Sequence, residues 1–179
     1  IHKTLKESCP EILTIIVPRH PERGPDIAAI CEAAGLDCVL RRDIKRLPDN
    51  DTDIYIANTL GELGLFYSLA PIACIGRSFS DDGGGGHNPI EAAQLNCAVL
   101  HGPHVQNLQD IFDDMDATGA AITIPSKKEF APQLLALLNS SNLQDHYQQK
   151  ALEFAASKTR VIDTVMQELQ PLLTKVITK

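Results

Sequence analysis

The sequence has no tryptophan and few aromatic residues of any kind, 4% of its 179 positions. A base-stacking surface for single-stranded nucleic acid needs several such rings on one face, so that partner is disfavoured. Basic charge is scarce as well: 16 lysines and arginines stand against 23 aspartates and glutamates, a net charge of −7. Neutralising a phosphate ladder requires the opposite balance, which argues against nucleic acid as the main partner but leaves room for one anion in a locally positive cleft. No run reaches the roughly 18 apolar residues of a membrane span, and no signal-peptide pattern precedes the first strand pattern. The five cysteines (Cys9, Cys31, Cys38, Cys74, Cys97) include no C-x-x-C pair. Four lie in or beside apolar segments, where a free thiol is a small hydrophobe. Reduced thiols, a cytosolic compartment and no zinc site are the expectation.

What is present is 44% apolar content, enough for one core. Ile12 to Val17 is a continuous β-branched run of the kind that is buried on both faces of a parallel sheet. A helix is predicted over Arg23 to Ala34, with Ile27, Ile30, Cys31 and Ala34 on its inner face and Gly35 as its stop. Strands are predicted at Leu36 to Leu40, Ile54 to Ala57, Ile72 to Ile75, Cys97 to Leu100 and Ala120 to Ile124. Helices are predicted at Glu62 to Leu69, from about Pro89 to Leu95, and at Asn107 to Ala117. This alternation reads as βαβ units on a parallel sheet: an α/β, Rossmann-like fold with helices on both faces. From Ser126 the pattern is helical. Phe130, Leu134, Leu135 and Leu138 form one stripe, a second helix runs from about Leu143 to Ser157, and a third starts near Thr159 and heads toward Pro171. Ile1 to Glu7 has the pattern of the end of a helix, so a first strand is expected upstream, in a longer protein. No repeat or long linker splits the chain, and one domain is expected.

Ligands of open α/β sheets bind beyond the carboxyl ends of the strands. Three clusters fall there: Pro18-Arg19-His20-Pro21-Glu22-Arg23, Thr59-Leu60-Gly61-Glu62-Leu63-Gly64, and the glycine run 83–86 continuing into His87-Asn88-Pro89-Ile90-Glu91. Each has a bland reading. The arginines could be a solvated loop, Gly61 a permissive turn, Glu62 a favourable helix-start charge, and the glycines slack. Asn88 and Glu91 have capping-box spacing, and His87, His101 and His104 could be ordinary loop histidines. Together they describe helix starts and one guanidinium, Arg19, on a common rim, able to hold a phosphate, with Glu91 left for sugar hydroxyls. A nucleotide sugar fits this combination. No Walker loop or G-x-G-x-x-G fingerprint is present, which disfavours ATPase and dehydrogenase readings.

The ordered set P-R-H-P-E-R at 18–23, T-L-G-E-L-G at 59–64, G-G-H-N-P-I-E at 85–91 and H-G-P-H at 101–104 followed by Asn107 resembles the C-terminal half of the 3-deoxy-D-manno-octulosonic acid (Kdo) transferase family. The likeness runs from Ile1 to about Leu173. It implies a two-domain GT-B glycosyltransferase of bacterial lipopolysaccharide biosynthesis, at the cytoplasmic face of the inner membrane. The C-terminal domain would hold the donor CMP-Kdo, and the N-terminal domain, absent here, the lipid A precursor (lipid IVA). By motif, Pro18 and Arg19 would contact the CMP phosphate and its surroundings. Leu60, Gly61, Glu62 and Leu63 would line the nucleotide through backbone groups. Asn88, Pro89, Ile90 and Glu91 would cradle it, with Glu91 the ribose partner, and His20, His87 and His104 would lie near the cleft. Transfer in the family inverts configuration and uses no metal or other cofactor. Its base is a glutamate of the N-terminal domain, so this fragment, a soluble one, would bind donor weakly without turnover.

Two departures stand out. Gly76-Arg77-Ser78-Phe79 occupies the place of the family's more usual Gly-Gly-Ser-Leu, and the stretch Ser80 to Gly84 is longer than usual. Arg77 could add charge to the cleft or be plain surface. In GT-B enzymes the last helix crosses back to the N-terminal domain, so the face Val161, Val165, Leu169 and Leu172 would be partly uncovered here, unless it packs on its own domain. Rival readings are a GT-B enzyme or epimerase using a UDP-sugar, and a non-catalytic nucleotide-binding domain.

Overall fold

The structure, a computed structural model, describes residues 1–43, 46–81 and 83–177, with side chains of the last helix described at 141–158 and 166–170. Helix α1 (His2–Ser8) leads into strand β1 (Thr14–Ile16), and a 3-10 turn at Pro21–Arg23 leads into α2 (Gly24–Ala33). Then come β2 (Cys38–Leu40), β3 (Ile54–Ile56), α3 (Leu63–Leu69), β4 (Ile72–Cys74), α4 (Ile90–Gln94) and β5 (Ala98–His101). A second 3-10 turn, Gln106–Leu108, precedes α5 (Gln109–Thr118), β6 (Ala121–Thr123), α6 (Lys127–Leu138) and α7 (Ser141–Ile177).

All strand pairs are parallel, as the βαβ pattern predicts. They form two three-stranded sheets, ordered β1-β3-β2 and β4-β5-β6, rather than one. In each, the middle strand is the most buried: β3 at all three residues, β5 at all four. The reason for two sheets lies in β1 and β4, each of which pairs on one side only among the described strands. Thr14 N–H donates to Asp53 O and Ala57 N–H to Ile16 O, so the main-chain groups of Ile15 point to the unpaired side. Likewise Ile75 N–H donates to Leu100 O and Ala98 N–H to Pro71 O, leaving those of Ile72 and Cys74 on the other unpaired edge. Helices join the two halves: α3 packs on α4, and α1 on α6.

Three expectations need correction. Ile30 is 69% exposed, because α2 turns the face Gly24, Ala28 and Cys31 inward, at spacings of four and three, and Ile30 lies off it. In α6 the fully buried leucine is Leu137, which the stripe omitted; Phe130 and Leu134 pack beside it. The two helices predicted after Leu143 are one continuous helix, α7. No glycine or proline separates Ser157 from Thr159, and the Ser157 hydroxyl donates back to Phe154 O, so nothing breaks the turn. Of the tail's proposed apolar face, Leu169 is exposed, while the side chains of Val161, Val165 and Leu172 lie outside the described residues. All five cysteines are free thiols.

Candidate functional site

The first loop leaves β1 and folds onto the end of β3. Pro21 is buried, while Arg19, His20 and Arg23 are exposed and Pro18 half-buried. The loop can lie this close because residue 24 is glycine: a Cβ there would come 2.7 Å from the Asn58 side chain. Asn58 is itself buried and accepts the Arg42 N–H at 3.0 Å. His20 turns outward toward Glu22, at 3.7 Å.

The second loop leaves β3 through Gly61, whose φ of +79° is a conformation that side-chain-bearing residues rarely adopt. Glu62 ties it down. Its carboxylate accepts from Arg41 Nη2 at 2.7 Å and Nε at 3.2 Å, and from the Thr59 hydroxyl. The Arg41 and Thr59 bonds hold its pKa down to about 2. Arg41 also reaches Tyr55 Oη at 3.3 Å. Glu62 therefore shapes the loop with its side chain, which leaves backbone groups as its means of touching a ligand. Leu60 is 78% exposed, and Leu63 is exposed beside it.

Beyond Gly83, which stands in open space, the glycine run is packed, not slack. Gly85 takes φ +55° and a Cβ there would come 2.6 Å from Asn107 Cγ; at Gly84 a Cβ would collide with the Arg77 guanidinium. Gly86 is buried against Val105 and Phe112. Asn107 donates through Nδ2 to Gly84 O, and His87 N–H to Gly76 O at 3.2 Å. Asn88 Oδ1 accepts the Ile90 N–H at 2.9 Å, Pro89 is fully buried, and Ile90 packs on the core. The capping box is not formed. Glu91 Oε1 lies instead 3.3 Å from where a Cβ of Gly64 would stand, because α4 packs against α3.

The third loop meets the second and lies within electrostatic reach of the first. Glu91 faces Gly64 of the second, and His87 feels Arg19 of the first: its pKa is lowered by burial and then by the charges of Arg19 and Arg77. His104 N–H donates to Ser78 O at 2.9 Å, which fastens the H-G-P-H segment beneath. Arg19, Gly64, His87 and Glu91 are linked in this way, while His20 stands apart. Neither of two shallow hollows of about 530 Å³, one at Cys9, Pro10 and Leu138 and one at Pro21, Arg42 and Asn58, is lined by Gly61, His87 or Glu91. Among the described residues no three histidine, cysteine, aspartate or glutamate side chains stand close enough to share a metal ion.

Arg41 and Ser78 were not among the expected site residues, although both support it. Arg41 directly follows β2 and could have been found from its place at a strand's carboxyl end. Ser78 likewise lies beyond a strand's carboxyl end, four residues after β4.

No family model matches the chain. The 3-deoxy-D-manno-octulosonic acid transferase of Rickettsia bellii is 35% identical over 93% of this chain and 40% of its own length. A probable mitochondrial 3-deoxy-D-manno-octulosonic acid transferase of Arabidopsis thaliana is 36% identical over 94% of this chain and 38% of its own. The chain therefore spans about 40% of the length of the curated relatives it matches. The crystal structure of the C-terminal CMP-Kdo binding domain of WaaA from Acinetobacter baumannii superposes with a TM-score of 0.78 at 28% identity, covering 86% of this chain and 80% of that one. In sequence and in fold, this chain is similar to the 3-deoxy-D-manno-octulosonic acid transferases, and to their C-terminal domain in particular.

Proposed function

We propose that this chain is the donor-binding domain of a GT-B Kdo transferase, an inverting, metal-independent enzyme that moves Kdo from CMP-Kdo to a lipid A precursor, lipid IVA, at the inner membrane surface. The observation that carries this reading is the meeting of the second and third loops at the strand ends, where Glu91 is set against Gly64 and the glycine run is packed on Asn107. Arg19 would grip the phosphate, the backbone at Leu60 to Leu63 would line the nucleotide, and Glu91 would accept from ribose hydroxyls. The names of the relatives, and that of the WaaA domain, support CMP-Kdo as the donor.

The acceptor site and the base would lie in a further domain, so this chain alone would bind donor without turning it over. The free edges of β1 and β4 support a related reading. A strand from outside these residues, entering α1 in a βαβ unit, would pair with both and join the two sheets into one.

Calorimetric titration with CMP and UDP in EDTA tests the donor assignment. CMP is expected to bind more tightly, Arg19→Ala to lose about 1.5–3 kcal/mol of that affinity, and Glu91→Gln to weaken it with the fold intact. A preference for UDP would favour a UDP-sugar enzyme. Unchanged CMP affinity in both variants would move the site elsewhere.

A further inference from the structure

The second loop is held at one point. Leu60 is exposed, and a Cβ on Gly61 would meet nothing within 4 Å. Among the described residues, the N–H groups of Leu60, Gly61 and Glu62 donate to no group of the protein. What fixes the loop is the Glu62 carboxylate, held by Arg41 and by the Thr59 hydroxyl.

Arg41 is a firm post for that bond. It directly follows β2, and its N–H extends the pairing with β3 by donating to Ile56 O at 2.8 Å. The next N–H, of Arg42, donates to buried Asn58 at 3.0 Å, so the main chain here is tied to the end of β3 twice. The side chain is engaged at every nitrogen. Nη2 and Nε donate to the two oxygens of Glu62, at 2.7 and 3.2 Å, and Nη1 donates to Tyr55 Oη at 3.3 Å. Tyr55 is buried, with its ring 6.0 Å from that of Phe66 in α3. One guanidinium thus joins a buried strand to the loop.

Such a pair does little for the fold as a whole, because the side chains are 37% and 30% exposed and water screens them. It does fix geometry, since a guanidinium fork and a carboxylate meet in one orientation. A loop ordered before its ligand arrives loses less freedom on binding. We propose that Arg41 is a positioning residue of the nucleotide site: without touching the ligand, it holds the Thr59–Leu63 main chain, through Glu62, in the conformation that binds. The claim rests on the nucleotide-binding reading above and deepens it by naming the residue that organises one wall.

Calorimetric titration with CMP, together with thermal melting, compares the parent with Arg41→Ala, Glu62→Ala and the double variant. Each single change is expected to weaken CMP binding by about fivefold, the cost of ordering part of the loop in the complex, with little change in melting temperature. The double variant should bind as the singles do, because the second change removes nothing that the first has left in place. Additive losses, or a loss confined to Arg41→Ala, would mean that Arg41 touches the ligand itself, and either overturns the proposal. A lower melting temperature with parental affinity in the folded chain overturns it as well, since that is what a residue serving only the fold would show. Arg41→Lys keeps the charge but not the two-point grip, and is expected to bind as weakly as Arg41→Ala. Full recovery with lysine overturns the proposal. If Arg41→Ala is too unstable to titrate, Arg41→Lys and Glu62→Ala decide on the same terms. Parental affinity of Arg41→Ala, with Arg19→Ala impaired, overturns the role of Arg41 and leaves the site standing. Failure of the parent chain to bind CMP overturns both.

Discussion

Around β5 the packing is apolar and closed on every side, whereas around β1 it is polar and open along one edge. In the second sheet Val99, Leu100, Phe112, Met115 and Ile124 are fully buried, and α7 lies along α4, α5 and β5. In the first, the apolar clusters are small, β1 is only half-buried, and ions do much of the fastening. Asp53 accepts from Lys6, from His2 Nε2 at 3.3 Å and from the Asp37 N–H at 2.8 Å. The lesson concerns the candidate site, which spans the two. Its glycine loop rests on the closed half, through Gly86 on Phe112, while its Pro18–Arg23 and Thr59–Gly64 loops rest on the open one. One side of the rim is held by burial; on the other, the Thr59–Gly64 loop is held by the Arg41–Glu62 ion pair, which responds to pH and salt, and the Pro18–Arg23 loop by buried Pro21 and by Gly24 against Asn58.

The largest expected effect contrasts the two cores directly. Phe112 is fully buried, with its ring 4.5 Å from that of His101. Phe112→Ala should cost about 3–5 kcal/mol of unfolding free energy, the usual range for emptying such a site. Phe66 in the first half is also buried, but its cluster includes half-exposed Ile15. There Phe66→Ala should cost about 3 kcal/mol or less, since the site can relax toward the open edge. Urea denaturation of both variants measures this, and equal costs would remove the asymmetry.

A smaller effect is expected at Asp53. The Lys6 bond is the main cause of its lowered pKa, from 3.8 to about 2, helped by the Asp37 N–H and His2 and opposed by burial. A carboxyl whose folded pKa is depressed stabilises the fold above its unfolded pKa, and that stability is lost as pH falls through the folded value. Lys6 is partly exposed, so screening reduces the gain. Asp53→Asn should therefore cost about 1–2 kcal/mol at pH 7, and the gap from the parent should close between about pH 4 and pH 2. A gap that is constant with pH would mean that Asp53 acts through its hydrogen bonds alone.

The same contrast explains what the sequence could reveal. Parallel strands, the order of helices as far as α6 and the places of the three loops all follow from patterns within short windows, and they match. Windows misjudge what is decided between distant segments. Ile12 to Val17 carries the character of a long buried strand, yet only Thr14–Ile16 pairs, because β3 offers three residues and nothing described covers the other side. The loops' residue types were legible and their fasteners were not. Glu62 to Arg41, Asn107 to Gly84 and Gly102 to Ser78 are 21, 23 and 24 residues apart, beyond any local pattern. For the same reason the glycine run could be taken for slack until its neighbours were in place.

The smallest effect separates loop shape from loop stability. Gly61 and Gly119 both take a positive φ, +79° and +71°, and an added Cβ would meet nothing within 4 Å at either. Alanine at each should therefore cost about 1 kcal/mol, the strain of a left-handed turn, and no more. Gly119 ends α5, where its N–H bonds Asp116 O, far along the chain from the three loops. Gly61 begins the turn whose backbone is proposed to line the nucleotide. Both variants should melt a few degrees below the parent by similar amounts, but only Gly61→Ala should also weaken CMP binding, by about fivefold if that strain must be met in the bound loop. Since stability falls equally, any difference in affinity belongs to position and not to folding. Equal CMP affinity in the two variants would mean that the Thr59–Gly64 loop touches no nucleotide, and the site would shrink to Arg19 and the glycine run.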